Sequence, residues 1–366
     1  MRVEILIYLY GAVCASMIVF NVIYNLLLRG SEPRMERRCR KMKGQIDRQL
    51  DRIKMDQKVE ETHMTDLRHS LCRINNLMAF HQALQKNFSN DPELCRKYLR
   101  QIRPVMLYIA IVYRKKEYIQ AGYFAYVLSC YTTDRQMTVD SLQEIMLDYV
   151  KKPNLYCRFN ALKALYHFAA PEYIVEAFRI QDDGSVFFHE KLLTEGLLTY
   201  WGDHEKLTAL LWQAFPSYTV HTRHAILNYI RFRSGNYQNE MYGIMEDPKE
   251  NKELRLAAIR YFGKYYYEPS RQWLLKFVKD KDSTQWEYAT VAAASLAAYP
   301  DKETINALKE ALHSGNWYVR YAAAQSLEHL QVDYTDVIDI AAGNDRYARE
   351  MMLYRLESRK LQELEV

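Results

Sequence analysis

The sequence predicts an all-α protein, an α-solenoid of stacked helix-turn-helix repeats preceded by one transmembrane helix. Three observations indicate this architecture: an uncharged apolar run near the N-terminus, a segment that returns roughly every 32 residues, and few helix breakers, with 12 Gly and 9 Pro among 366 residues. We expect four regions. They are a transmembrane anchor at 1–29, a basic juxtamembrane segment and helical stalk at 30–60, degenerate repeats that cap the array at 61–150, and the repeat array at 151–366.

The apolar run extends from Ile5 to Leu28 without a formal charge. A helix rises about 1.5 Å per residue, so this run would span the roughly 30 Å hydrocarbon layer of a bilayer. A cleaved signal peptide would instead have a basic start, a shorter apolar run and a cleavage site of small residues. The sequence lacks these features, which favours an uncleaved anchor.

The charge flanking this run predicts an orientation. Residues 29–43 contain seven Lys or Arg and two acids, so their net charge of +5 equals that of the whole chain. Because positive residues stay on the cytoplasmic side, we expect a single-pass plasma-membrane protein with its N-terminus outside and its repeat domain in the cytoplasm. The other residues sum to zero, which argues against nucleic-acid binding.

Two contacts follow from the anchor. Small and polar residues on the span predict a contact with another membrane helix, and the basic cluster predicts binding to anionic lipid headgroups, although it could simply set the topology. The residues of the helix contact are Gly11, Ala15, Asn21 and Asn25; those of the headgroup site are Arg34, Arg37, Arg38, Arg40, Lys41 and Lys43.

The repeat is visible as seven alignable segments in the C-terminal half. They begin at Arg158, Lys191, Arg223, Arg255, Ala289, Arg320 and Arg349. Offsets 3, 4 and 7 from the first residue are nearly always apolar, which is one face of a helix. A second helical pattern follows each segment, with breakers such as Pro269 and Pro300 between the two. Each unit is therefore helix-turn-helix and must stack on its neighbours to bury its apolar face.

These segments resemble HEAT repeats. Tyr318-Val-Arg-Tyr-Ala-Ala-Ala-Gln-Ser-Leu327 has the Val-Arg, small-residue and Leu order of that family, and the short period resembles the HEAT-like units of phycobilin lyases. The segments at Lys191 and Ala289 depart from it, since the family favours Arg there. Tetratricopeptide repeats are the alternative, but their Trp, Leu-Gly and Tyr pattern is absent. The resemblance implies that the repeated Arg forms a structural ladder with acids in the turns of adjacent units.

The resemblance also implies a binding groove. In the family layout the signature helix is the inner one, so offsets 1, 5 and 8 name the surface that a protein partner would contact. These residues are Phe159, Lys163, Tyr166, His224, Asn228, Arg231, Arg260, Gln325 and Glu328. A mixed aromatic and basic surface suits a peptide or protein partner.

The sequence contains no phosphate-binding loop, metalloprotease motif or nucleophile elbow, and its six Cys are scattered. His221 and His224 share a helix face but lack further ligands for zinc. We therefore expect no cofactor, no metal, no small-molecule substrate and no enzymatic activity. The predicted function is that of a membrane-anchored scaffold for protein partners that include a membrane protein. Proteins of this type resemble accessory subunits of bacterial surface-polysaccharide or secretion machinery. The alternatives are a lyase-like enzyme and a nucleic-acid-binding HEAT-like protein.

Overall fold

The computed structural model describes residues 3–131, 140–184 and 188–364, and every regular element within these ranges is a helix. The chain divides into two compact units, with unit 1 at residues 1–181 and unit 2 at residues 182–366. The predicted all-α fold is confirmed, and the stacking of the helices within each unit fits an α-solenoid.

Unit 1 is built from stacked helices. Its described helices are α1 (Val3–Lys54), α2 (Glu61–Ser70), α3 (Ile74–Asn90), α4 (Pro92–Gln101), α5 (Arg103–Arg114), α6 (Tyr118–Tyr131), α7 (Asp140–Val150), α8 (Leu155–Phe168) and α9 (Pro171–Asp182), the last of which ends at the boundary. Helices α3, α6 and α8 pack in succession, and so do α2, α5 and α7. This alternation is the arrangement expected of stacked helix pairs, although the sequence before α8 was expected to hold only degenerate repeats.

Buried tyrosines connect successive helices of the second row. The hydroxyl of Tyr113 on α5 donates to the carbonyl of Leu71 at the end of α2 over 3.0 Å. The hydroxyl of Tyr149 on α7 donates to the carbonyl of Ala110 on α5 over 2.8 Å. Both rings are fully buried, so each supplies apolar area while its polar atom is satisfied.

Helix α1 differs from the expected anchor and stalk. It is one helix that continues from the apolar run through the basic cluster to Lys54. A face spaced every three or four residues is buried, and its residues are Cys39, Met42, Ile46, Leu50 and Ile53. This end of the helix packs against α3 and α4, and Asp47 accepts a hydrogen bond from Asn87 over 2.8 Å. The segment expected to be a stalk therefore belongs to the core of unit 1.

Helix α1 also contains the segment that was predicted to cross the membrane. Within the part of the chain that the structure describes, no helix is sufficiently long and apolar to cross a membrane. The predicted single-pass localisation in the plasma membrane is therefore wrong, and the transmembrane anchor at 1–29 is unsupported. The apolar run is only the first part of a longer helix, whose charged second part packs on protein.

Unit 2 carries most of the repeats. Its described helices are α10 (Glu190–Leu198), α11 (His204–Ala214), α12 (Val220–Arg233), α13 (Gln238–Glu246), α14 (Lys252–Phe262), α15 (Glu268–Lys279), α16 (Trp286–Ser295), α17 (Lys302–Ala311), α18 (Trp317–His329), α19 (Ile338–Ala341) and α20 (Arg346–Leu364). The first aligned segment lies on α8 of unit 1, and the other six begin on the even-numbered helices of unit 2. Asp203, Asn251, Asp301 and Asn316 cap helices through side-chain oxygens that accept from the first turn.

The core of unit 2 follows the predicted offsets. Ala258, Ile259 and Phe262 on α14 are completely buried, and the equivalent Ala323 and Leu327 on α18 are too. These small and branched residues let neighbouring helices approach closely. Burial of this face accounts for the stacking of units that could not fold alone.

Hydroxyl groups link the stacked helices of unit 2. The Ser295 hydroxyl donates to the carbonyl of Ile259 over 2.9 Å, and the equivalent Ser326 hydroxyl donates to the carbonyl of Ala293 over 2.8 Å. Thr194 makes a similar link to the carbonyl of Ala225 over 3.0 Å. We call these three bonds the hydroxyl links.

The repeated Arg is structural, but its partners differ from those expected. Arg223 pairs with Glu250 over 2.6 Å, as the predicted ladder requires. Arg320 and Arg349 instead donate to the carbonyls of Ser314 and Gly343, each six residues earlier in the chain. Arg320 and Arg349 therefore hold the turn that precedes their own helix, whereas Arg158 and Arg255 donate to the carbonyls of Gln181 and Met245.

Candidate protein-binding face of unit 2

Two rows of helices give unit 2 an inner and an outer side. Helices α10, α12, α14, α16, α18 and α20 pack each on the next without interruption, whereas in the second row extensive packing joins α15 and α17. Because helices on the concave side of a curved stack come closest together, we infer that the first row is the inner row and the second the outer row. Offsets 1, 5 and 8 of the inner row form the inner face.

One end of the inner face is basic. Arg231 on α12 and Arg260 on α14 are both half-buried. Burial lowers the pKa of each guanidinium, and the charge of Arg260 lowers the pKa of Arg231 further. The guanidinium of Arg231 lies 4.7 Å from the ring centroid of Phe232. Two like charges on the neighbouring helices α12 and α14 are thus held in partly desolvated positions.

His224 and Asn228 lie on the same stripe of α12. They are half-buried, and the Asn228 amide nitrogen lies 3.1 Å from Nε2 of His224. Burial is the main cause that lowers the pKa of His224, and Glu190 opposes it. At neutral pH this histidine is therefore an uncharged hydrogen-bonding group beside the two arginines.

The middle of the inner face is made of small residues. On α16, offsets 1, 5 and 8 are occupied by Thr290, Ala294 and Ala297, of which Ala294 is exposed. These three residues were not predicted as groove residues, because they carry neither charge nor aromatic ring. The signal was nevertheless present, since the same offsets counted from Ala289 identify all three. A partner could approach the backbone more closely here than at α12 or α14.

The far end of the inner face is neutralised within the chain. Gln325 on α18 is exposed, whereas Glu328 pairs with Arg355 of α20 over 3.3 Å. The Arg355 guanidinium also lies 4.5 Å from the ring centroid of Tyr321, at offset 1 of α18. Glu328 therefore serves the packing of α18 on α20 and contributes little free charge to a partner.

The groove residues predicted on α8 belong to unit 1. Phe159 and Lys163 are exposed, but Tyr166 is only 4% exposed, and burial raises the pKa of its hydroxyl. The prediction that Tyr166 lines a groove is therefore wrong, because its ring is part of the core.

The residues predicted for membrane contacts lie on α1. Gly11, Ala15 and Asn21 are exposed, and the side chain of Asn25 lies outside the described residues. The first five residues of the predicted headgroup site are exposed, and Arg40 pairs with Glu36. Lys43 is half-buried and pairs with Asp47 over 2.7 Å. Both predictions depended on the transmembrane span and have no support without it.

A cavity of about 630 Å³ lies between the ends of α15 and α18, but several of the charges around it are paired within the chain. Lys279 pairs with Glu303, His313 pairs with Asp345 over 2.8 Å, and Asp282 accepts from Thr284. In the described part of the chain no group of three or more His, Cys, Asp or Glu could hold a metal ion. His221, considered above as a zinc ligand, lies 3.4 Å from Glu190.

Comparison with known proteins supports the repeat assignment. A family model of HEAT repeats matches residues 243–328. This range begins within α13 and ends within α18, so it covers helices of both rows, including the α14, α16 and α18 segments of the inner row. The chain has no significant match among curated proteins. HEAT repeats generally mediate protein–protein interactions, and residues 243–328 of this chain are similar to them.

Proposed function

We propose that the protein is a scaffold that binds a protein partner on the inner face of unit 2, and that it is not an enzyme. The observation that carries the proposal is the uninterrupted inner row, which presents one continuous strip of side chains from α12 to α18. Arginine is favoured in the energetic centres of protein interfaces, and small residues permit close approach.

A membrane complex is not part of the proposed function. Association with surface-polysaccharide or secretion machinery was expected only from the resemblance. The lyase-like and nucleic-acid-binding alternatives gain no specific support from the inner face, whose exposed centre is uncharged.

A pair of matched variants tests the inner face. Ala294 lies on α16 of the inner row and Ala209 on α11 of the outer row, and both are exposed helical alanines. The change Ala294→Arg adds a long charged side chain to the proposed interface, whereas Ala209→Arg adds the same side chain outside it. We expect quantitative affinity capture with the full-length protein to show one set of proteins lost with Ala294→Arg and retained with Ala209→Arg.

Two results would contradict the proposal. The same proteins could be captured equally by both variants, or none could be enriched over a bait-free control. Circular dichroism and thermal unfolding of both variants exclude a general loss of structure, because exposed substitutions within helices change stability only slightly.

A further inference from the structure

Among the residues that the structure describes, Arg231 and Arg260 differ from the other partly buried arginines of unit 2 in having no acceptor. Arg223 and Arg355 pair with Glu250 and Glu328, and Arg320 donates to a backbone carbonyl. Among the described residues, no ion pair or hydrogen bond to an acceptor is made by Arg231 or Arg260.

The buried guanidinium nitrogen atoms also distinguish Arg231 from the arginines that have an acceptor. The Nε atoms of Arg223, Arg320 and Arg355 are buried without a hydrogen-bond partner, but each of these guanidiniums is held through another nitrogen. The Nε atom of Arg231 is also buried without a partner in the described part of the chain, and its guanidinium lies beside the ring of Phe232 and pairs with no acid there. A desolvated charge without a counterion is unfavourable, so this position lacks an anion.

The acid whose charge acts on Arg260 does not fill that role. Glu253 raises the pKa of Arg260 through its charge, but it lies seven residues earlier on α14 and forms no ion pair with Arg260. Glu190 is close to His221 instead. The site therefore has an excess of positive charge, with His224 and Asn228 available as neutral neighbours.

The chemistry of the pair favours a carboxylate. The guanidinium group presents a planar fork of donors that matches a carboxylate in bidentate geometry. A nucleic acid would require a longer basic surface, whereas the inner face continues from Arg260 onto the uncharged small residues of α16. Residues outside 29–43 have no net charge, which also disfavours a polyanion.

We propose that Arg231 and Arg260 together bind a carboxylate side chain of an acidic peptide segment of the partner, which lies along the inner face over α12, α14 and α16. This inference rests on the proposed function and adds the chemistry that the partner must supply. Bound, the carboxylate would accept hydrogen bonds from both guanidiniums and relieve their repulsion.

Peptide binding tests the carboxylate directly. The probes are fluorescein-labelled peptides of alternating Glu and Ala and their Gln-containing twins, measured by fluorescence anisotropy with the full-length protein. We expect the Glu peptide to bind at least about tenfold more tightly than the Gln peptide, and Arg231→Gln or Arg260→Gln to weaken it by about tenfold or more. Lys249→Gln, which removes an exposed charge from a turn of the same unit, serves as the control and should leave binding unchanged.

The stability of variants distinguishes a binding role of Arg231 from a structural one. Because the two arginines repel each other and are unpaired, Arg231→Met should raise the midpoint of urea unfolding, whereas Arg223→Met should lower it by removing the pair with Glu250. A lower midpoint for Arg231→Met would overturn the inference.

Other outcomes also decide the question. Equal binding of the Glu and Gln peptides, or displacement by inorganic phosphate at a concentration where acetate has no effect, would show that the site does not select a carboxylate. If Ala294→Arg abolishes partner capture while the arginine variants retain it, the inference fails and the proposed function stands. If neither Ala294→Arg nor the two arginine variants reduce partner capture, the proposed function fails.

Discussion

Single hydroxyl groups fix the spacing of helices in both units. In unit 1 the hydroxyls of Tyr113 and Tyr149 reach carbonyls of the preceding helix, and in unit 2 Ser295 and Ser326 do the same at equivalent positions. A helix carbonyl can accept a second hydrogen bond in addition to its helical one. The bond therefore satisfies a buried hydroxyl without disturbing either helix.

Removing one hydroxyl link should lower stability. Ser326→Ala eliminates the bond to the carbonyl of Ala293, and we expect the free energy of unfolding to fall by about 1 kcal/mol. Ser283→Ala, at an exposed serine, is the matched control and should change it by less than about 0.5 kcal/mol. Urea denaturation followed by circular dichroism measures both. Equal effects of the two variants would mean that the link does not contribute.

At the scale of single residues, the repeat predicts the direction in which a side chain leaves its own helix, and the predicted groove stays a prediction. The offset rule placed Arg231, Arg260 and Gln325 on one face. The offset rule failed at Tyr166. An offset gives the direction in which a side chain leaves its own helix, but it does not show which neighbouring residues cover that side chain. The lack of a partner for Arg231 depends on contacts with other helices, which no single-sequence pattern records.

At the scale of elements, close helix contacts depend on glycine. A Cβ atom added to Gly122 on α6 would lie 2.7 Å from Cδ1 of Tyr156 and 2.9 Å from the Cα of Cys157 on α8. Both distances are shorter than carbon atoms tolerate, and the Cα atom belongs to the backbone and cannot rotate away. The sequence marked this region only as a degenerate repeat and gave no sign of the contact.

Gly122→Ala should therefore destabilise unit 1, by about 1–3 kcal/mol, because the added methyl group must push α8 away. Gly243→Ala on α13 is the control, since nothing lies within 4 Å of its added Cβ. Replacing a glycine inside a helix without a clash should increase stability, by up to about 1 kcal/mol. Thermal unfolding compares the two, and a shift of the same sign in both variants would contradict the explanation.

Helix α1 shows why one element was misassigned. An apolar run of membrane-spanning length and a basic flank are typical of an anchor, and the sequence alone contains both. The structure adds that the helix does not stop after the run, and that Ile46 and Leu50 pack in the core. This packing depends on α3 and α4, so local hydropathy could not predict it.

On the scale of the whole molecule, the period and helix order of the array were predictable because each repeat contacts mainly its neighbours. The burial of titratable groups could not be predicted from the sequence. Desolvation is the main cause that lowers the pKa of five histidines distributed over both units, which are His63, His81, His167, His204 and His224.

Stability should therefore fall in mildly acidic solution. In the unfolded chain these histidines titrate near pH 6.5, whereas the folded protein keeps them neutral to lower pH. Below pH 6.5 the unfolded state binds more protons, so the free energy of unfolding decreases as the pH falls. We expect a lower urea midpoint at pH 5.5 than at pH 7.5.

A variant tests the assignment to histidine. His167→Phe removes one of the five groups and should reduce the loss of stability between pH 7.5 and pH 5.5. The acids with lowered pKa, such as Asp301, titrate below this window because their pKa lies below 3.8. A midpoint that is constant or rises towards pH 5.5 would show that the buried histidines do not control acid stability.

The three hydroxyl links of unit 2 have a mechanical consequence. Each is a directional bond between two neighbouring helices of the inner row, from Thr194, Ser295 or Ser326 to a carbonyl of the adjacent helix. Such a bond weakens quickly when one helix slides along the next, whereas a small change in the angle between them leaves it intact. We therefore expect the helices of unit 2 to resist sliding along one another but to allow small changes in the angles between them. Its inner face could then tighten around a partner while every side chain keeps its register.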